Sequence, residues 1–330
     1  MTPRDVAVVA FARSEHHGGS DGAFDGASEP ELLLPVLHDA LSRAGLAPGE
    51  ADFTCSGSSD YLAGRPFSFT LTLDSVGAWP PIAESHVEAD GAWALYEAWV
   101  KILTGRADTA LVYAHGKPTA GDLTDVLTRQ LDPYYLAPLW PDPRALAALQ
   151  ARALIDAGHL DEPPAAEAHA VVPLRTTDFP APTDGAAAVV LAAGDAARRM
   201  CERPAWIRGI DHRIEPQAPG LRDLTDSPST RLAAERAGAF RAAVDTAELH
   251  APCTAQEVVL RRALRLDGTV TVNPSGGALA ADPVMTTGLV RLGEAAARIQ
   301  RGDSDRALAH ATSGPCLQHN LVAVLEGENR

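Results

Sequence analysis

The chain has no excess of basic residues: 28 lysines and arginines stand against 43 aspartates and glutamates, a net charge of -15. No basic stripe is available to neutralise phosphates, which argues against a nucleic-acid partner and against an anionic membrane surface. Cysteines are also few, four in 330 residues. Cys55, Cys201, Cys253 and Cys316 are widely scattered and form no C-x-x-C pair. Neither a zinc ribbon nor a disulfide framework is expected, and a reducing cytoplasm fits. No apolar stretch is long enough to span a bilayer. The apolar run at 6–12 is short for a secretory leader, and Arg13 and Glu15 follow it where small residues would mark a cleavage site.

What is there is the composition of an ordinary globular protein, 46% hydrophobic and 22% charged. The length suits one large core or two fused domains of about 150 residues each. Strand and helix patterns alternate, which predicts an α/β fold. Strands are expected at 5–11, 51–55, 109–114 and 186–193, and helices at 31–44 and 90–104. Pro35 is expected near the first turn of its helix, where the missing N–H costs little. The stretch 117–182 is broken by prolines and keeps one helix, 144–157. An irregular segment of that length inside an α/β unit is usually a functional excursion. The second half repeats the plan, with strands at 206–210, 269–272, 306–311 and 321–325 and helices at 230–244, 257–266 and 284–300. Two halves with one element order predict an internal duplication, although no sequence repeat is visible.

Several residues draw attention by type and spacing. His86, Glu88 and Asp90 alternate, so an extended 85–90 would point all three to one side, an arrangement able to mimic a metal triad. No further ligand or spacing signature supports a metal. The run Asp132-Pro133-Tyr134-Tyr135-Leu136-Ala137-Pro138-Leu139-Trp140 is aromatic, apolar and proline-stiffened. It reads either as the wall of a greasy acyl pocket or as a cover for the core. His16-His17, in a Gly/Ser-rich stretch, reads as surface.

The most specific pattern is Val272-Asn273-Pro274-Ser275-Gly276-Gly277-Ala278-Leu279-Ala280-Ala281-Asp282-Pro283-Val284-Met285-Thr286-Thr287-Gly288. It resembles the thiolase signature N-x-S-G-G-x-x-x-x-G-H-P-x-G-A-T-G once one residue is dropped before the proline. Asp184-Gly185-Ala186-Ala187-Ala188-Val189-Val190-Leu191 resembles the strand that closes the first thiolase half. Leu317-Gln318-His319-Asn320-Leu321 and the His of His250-Ala251-Pro252-Cys253 resemble the sterol-carrier-protein-X branch, often labelled lipid-transfer protein in actinobacteria.

The resemblance spans nearly the whole chain. It implies the thiolase fold, two similar halves in five αβαβα layers, with residues 1–195 and 196–330 as the halves and a loop-domain insertion at about 117–182.

The same resemblance places the site. The family's nucleophilic Cys, in C-x-x-G-x-x-A-L, falls on Glu88, and a carboxylate is a poor acyl acceptor. Glu88 and Asp90 read either as charges at a helix N-terminus or as groups facing the reaction centre. His250 falls where the family polarises a thioester carbonyl, and the alternative is a structural His at a strand end. Asp282 replaces the family's catalytic His and reads as a general base or a turn residue before Pro283. The second catalytic Cys maps to His310 or Ala311 in one alignment and near Asn320 in another. Cys316 is either a thiol brought close by the last loop or a small buried hydrophobe.

With both family cysteines replaced, an oxyanion site for a thioester enolate is what remains. The reading that fits is a retro-aldol lyase, and the branch's similarity to the steroid side-chain aldolases of actinobacteria implies β-hydroxyacyl-CoA esters of steroid side chains or lipids as its substrates. Candidate bases are Glu88, Asp282, His310, Tyr134 and Tyr135, while His86, Asp90, Asn273, Ser275, Gly276, Gly277 and Cys316 are expected around the substrate. Two alternatives stand beside it: a catalytically silent thiolase-like scaffold subunit and an unconventional acyltransferase using Cys316. No tightly bound cofactor and no metal is expected, coenzyme A entering as part of the substrate. The resemblance implies as partners an acyl-CoA, a second thiolase-like chain in a homodimer or heterodimer joined through the first half, and a zinc-ribbon/OB-fold protein.

Overall fold

The computed structural model describes residues 4–15, 17–18, 27–163 and 169–328, and every structural statement below concerns these. His16 lies outside the described residues, as does the side chain of His17.

Ten of the described strands form two sets of five. In chain order the first set is Val6–Arg13, Phe53–Gly57, Glu84–Val87, Thr109–Gly116 and Thr183–Ala193. The second is Ala205–Ile214, Thr246–Glu248, Thr271–Val272, Arg306–Ser313 and His319–Glu326. Both sets share one spatial order, third–second–fourth–fifth–first. In each, the second strand runs parallel to the third and fourth. The fifth is antiparallel to the fourth and the first. The duplication is therefore carried by topology. The sets meet only where their first strands pair, at Ala7 with Trp206 and Val8 with Ala205.

Helices fill three further layers. Gly91–Leu103 and Thr287–Arg301 lie between the sets, in one core with inward residues of both, among them Val112, Val189, Ala309 and Leu321. Glu29–Ala44 and Gly194–Met200 cover the outer face of the first set. Pro228–Ala237 and Thr254–Ala263 cover the outer face of the second. This is the expected five-layer αβαβα arrangement. Thr183–Ala193 explains itself: Ala187, Val189 and Leu191 enter the central core while Ala188, Val190 and Ala192 enter the outer one. A strand buried on both faces reads as a continuous apolar run.

Local chemistry sets the helix ends. Ser28 and Glu31 form a capping box ahead of Glu29–Ala44, and Gly45, at φ 69, closes it in the left-handed region. This start is two residues earlier than expected and leaves Pro35 inside the helix rather than near its first turn. The helix expected at 230–244 ends sooner, at Ala237, because Gly238 turns left-handed at φ 81. Between Gly116 and Thr183 there are two α-helices rather than one, Leu123–Arg129 opened by Asp122 and Pro143–Asp156 opened by Asp142. The edge strand Glu84–Val87 had no clear sequence signal, since none of its residues is fully buried. Among the described residues, no helix is long and apolar enough to cross a membrane.

Candidate active site

The two central helices begin face to face, and Asp90 joins them. As N-cap of Gly91–Leu103 it accepts from Ala92 N–H at 2.8 Å. It also accepts from Gly288 N–H at 2.9 Å and Leu289 N–H at 3.1 Å, at the start of Thr287–Arg301. Gly288 is required here, because a Cβ would collide with the Asp90 carboxylate. Burial pushes the Asp90 carboxyl up, against the opposing pull of His250 and the three backbone donors.

His250 ends the segment that follows strand Thr246–Glu248, and the signature residues hold that segment. Asn273 accepts from Leu249 N–H at 2.7 Å and donates to Glu257 at 3.0 Å. Ser275 Oγ donates to Glu248 at 2.6 Å and accepts from Arg291 at 2.7 Å. Gly276 and Gly277 make the left-handed turn that follows, at φ 97 and 66. A Cβ on Gly277 would come within 2.9 Å of the Asn273 amide. These four residues position His250 from behind and do not line the cavity.

Thr312 N–H points at His250 Nδ1 at 3.4 Å, which leaves the ring proton on Nε2. Nε2 faces Asp282 Oδ1 at 3.4 Å. The same Asp282 oxygen accepts from Thr287 Oγ1 at 2.6 Å. Burial pushes the Asp282 carboxyl up, but His250 and Thr287 outweigh it and hold the group below its ordinary range. The carboxylate is thus ionised at neutral pH, with His250 beside it.

Asp90, His250, Asp282 and Thr312 together line one cavity of about 280 Å³. Its remaining walls come from the two helices of the 116–183 excursion, from Phe179 to Pro182, from Pro252, Cys253 and Gln256, from Val284 and Met285, and from the loop at Pro315 and Cys316. Two thiols reach it. Burial pushes Cys316 up to about 11, and its Sγ donates to the Leu146 carbonyl. Burial pushes Cys253 up to about 12. Both are neutral thiols in the folded protein.

Other candidates sit elsewhere. Glu88 is half exposed and accepts from Asp60 N–H at 2.7 Å, so the family's nucleophile position turns away from the cavity. His86 bonds Ser56 at 2.9 Å and faces Glu88 at 3.7 Å, while Asp90 points inward, so the three do not converge. Among the described residues no group of three His, Cys, Asp or Glu could hold a metal ion. His310 is buried behind the site, bonded to Asn320 at 3.0 Å, and burial pushes it down to about 3. It is a neutral ring out of reach of a ligand in the cavity. Tyr134 and Tyr135 are 80% and 75% exposed and do not line the cavity.

Thr312, Gln256, Met285 and Phe179 line the cavity without having been anticipated. Thr312 had a usable signal: it lies two residues beyond His310 on the same strand and so on the same face.

No family model matches the chain, and no curated protein sequence matches it. Solved structures do match. Human mitochondrial 3-ketoacyl-CoA thiolase is 16% identical, with 99% of this chain and 100% of that one covered at a TM-score of 0.73. The Ltp2-ChsH2(DUF35) aldolase is 19% identical, with full coverage of both chains and a TM-score of 0.74. The Bacillus anthracis acetyl-CoA acetyltransferase is 16% identical, with 99% and 100% covered and a TM-score of 0.72. At these identities the likeness establishes the fold, which is the thiolase fold.

Proposed function

We propose that the chain acts on acyl-CoA thioesters and cleaves a carbon–carbon bond by a retro-aldol route, as a lyase or as the thiolase-like subunit of one. The observation that carries this reading is the make-up of the cavity: an ionised Asp282 beside His250, with both thiols in the same cavity neutral. A neutral thiol is a weak acyl acceptor, whereas an ionised carboxylate can accept a proton and the N–H donor beside it can stabilise an oxyanion. The aldolase among the structural neighbours adds support from the fold.

In the proposed step Asp282 takes the proton of the β-hydroxyl. The alkoxide collapses to a ketone or aldehyde, the bond between the α and β carbons breaks, and its electron pair moves into the thioester as an enolate. His250 Nε2–H, held only loosely by Asp282 at 3.4 Å, is the donor for the enolate oxygen. Asp282 then returns the proton to the α carbon, leaving a shorter acyl-CoA. The resemblance carries lipid or steroid side-chain thioesters as the substrate pool. It also carries assembly with a small zinc-ribbon/OB-fold partner, and the name of the aldolase neighbour joins it to a DUF35 component. Dimerisation through the first strand set is part of the same proposal.

The test is product analysis by mass spectrometry with 3-hydroxyacyl-CoA esters, with the partner present. Replacing His250 by Ala or Asp282 by Asn should cut turnover by about 10²–10³-fold, the usual cost of losing such a donor or base. Full cleavage by the complex with both replaced would move the chemistry to another chain. One observation favours that second reading, a silent scaffold. The N–H groups of Ala92, Gly288 and Leu289, which would otherwise meet a reacting anion, are occupied by the protein's own Asp90.

A further inference from the structure

We infer that the cavity selects short and medium acyl groups of about ten carbons or fewer, and that Leu127 and Phe179 set the limit. The inference rests on the acyl-CoA reading above and deepens it. An apolar cavity of about 150 Å³ takes a benzene ring. The 280 Å³ here therefore holds roughly twice that, ten to twelve carbon-sized groups. A tetracyclic sterol nucleus is far beyond it, so within the proposed pool the structure favours linear or branched lipid acyl chains.

The lining divides by chemistry. Asp90, His250, Asp282 and Thr312 contact or act on one another and form the polar cluster where the thioester would sit, while Thr124, Gln130, Asp142 and Gln256 add polar groups elsewhere on the lining. The excursion supplies an apolar wall from Leu127 and Leu146, and Phe179 adds an aromatic face. Leu131, Leu146 and Cys316 pack into a cluster of their own, backed by Leu136 and Leu224, which closes the wall on that side. Arg144 also lines the cavity and stacks its guanidinium 5.5 Å from the Phe179 ring, which fixes that ring in place. An acyl thioester with its carbonyl at the polar part thus lays its tail against leucines and Phe179. Tail beyond that volume passes into solvent and gains no further burial. Leu127 and Phe179 are only half-buried, so their size can be changed at small cost to the core.

The experiment is calorimetric binding of butanoyl-, hexanoyl-, octanoyl-, decanoyl-, tetradecanoyl- and hexadecanoyl-CoA to the full chain. Affinity should rise about fourfold for each added methylene that is buried, then level or fall beyond about ten carbons. Leu127→Trp should move the break to shorter chains, and Phe179→Ala should move it to longer ones. Either variant suffices if the other fails to fold. A rise that continues through hexadecanoyl-CoA, or affinity indifferent to length because the cavity takes the pantetheine arm, overturns the size limit while leaving the thioester reading intact. Failure of every CoA ester to bind overturns both.

Discussion

Asp90 accepts a hydrogen bond from Gly288 N–H at 2.9 Å, across 198 positions of chain. One carboxylate thereby sits on the positive ends of two helices, one from each half of the duplicated fold. It links the halves at the point where the cavity begins, although burial pushes that carboxyl up. Proximity to His250 and Asp282 follows from the same link, since Asp282 lies six residues before Gly288 and is held by Thr287.

Removing that carboxylate should cost stability before it costs chemistry. Asp90→Ala leaves three buried N–H donors without an acceptor and is expected to destabilise the fold by about 3 kcal/mol. Asp90→Asn keeps one acceptor oxygen and should lose less. Urea denaturation measures both. A midpoint for Asp90→Ala within error of the parent would show that the link carries no load.

Acid should weaken the protein in a window set by its buried histidines. Burial pushes His115 down to about 4 and His310 down to about 3. An unfolded histidine takes its proton below about 6.5, while these two stay neutral in the folded state. The unfolded state therefore binds more protons between these values. Stability is full above about pH 6.5 and falls with acidification, at up to ~1.4 kcal/mol per pH unit for each group. Asp282, whose folded value is depressed, adds a loss only at lower pH, as it takes up its proton. Unfolding midpoints measured from pH 7.5 down to 5 should show the slope, and His310→Gln should make it shallower. An unchanged slope in that variant would contradict the assignment.

Thiol reactivity should separate one cysteine from three. Cys55, Cys253 and Cys316 are buried, and burial raises their thiols to about 12, 12 and 11. Cys201 is half-buried at the end of a surface helix. A disulfide reagent at neutral pH should modify Cys201 first, and the other three should react only on unfolding. Incubation with acetyl-CoA should leave the intact mass unchanged. A stable acetyl adduct mapped to Cys316 would revive acyl transfer.

The fold was legible because its signals are periodic or local. Thr183–Ala193 is a continuous apolar run since both its faces are buried, and the helix opened by Asp90 carries its cap in the sequence. The edge strand Glu84–Val87 and the helix Leu123–Arg129 were not legible. The first is too exposed to show a pattern, and the second is too short to establish a period in a proline-rich stretch. In the site, His250 and Asp282 could be reached by motif position, and the structure brings them together. Glu88 could not be sorted the same way. Aligned position says nothing of side-chain direction, and here Asp60 draws that carboxylate outward. Of these two carboxylates, read alike in the sequence, Asp90 faces the cavity and Glu88 does not.

The signature itself makes the last prediction. Ser275 and Arg291 both bond Glu248, which is fully buried, and Arg298 faces it at 3.6 Å. Two residues after Glu248 comes His250, so this charge network fixes the backbone that presents the ring. Removing one partner of a buried pair strands the other charge, at a typical cost of about 3–5 kcal/mol. Arg291→Met should therefore destabilise by that order. Ser275→Ala, which removes one hydrogen bond to a charged group, should cost about 1.5–3 kcal/mol. Joining Glu248→Gln to Arg291→Met should recover part of the loss, because the two buried charges of the pair then go together and only the more exposed Arg298 loses its carboxylate. Ser275 does not line the cavity, so Ser275→Ala should bind acyl-CoA with near-parental affinity at a temperature where it is folded. If it instead loses ligand binding without losing stability, the motif touches the substrate directly and its structural role is secondary.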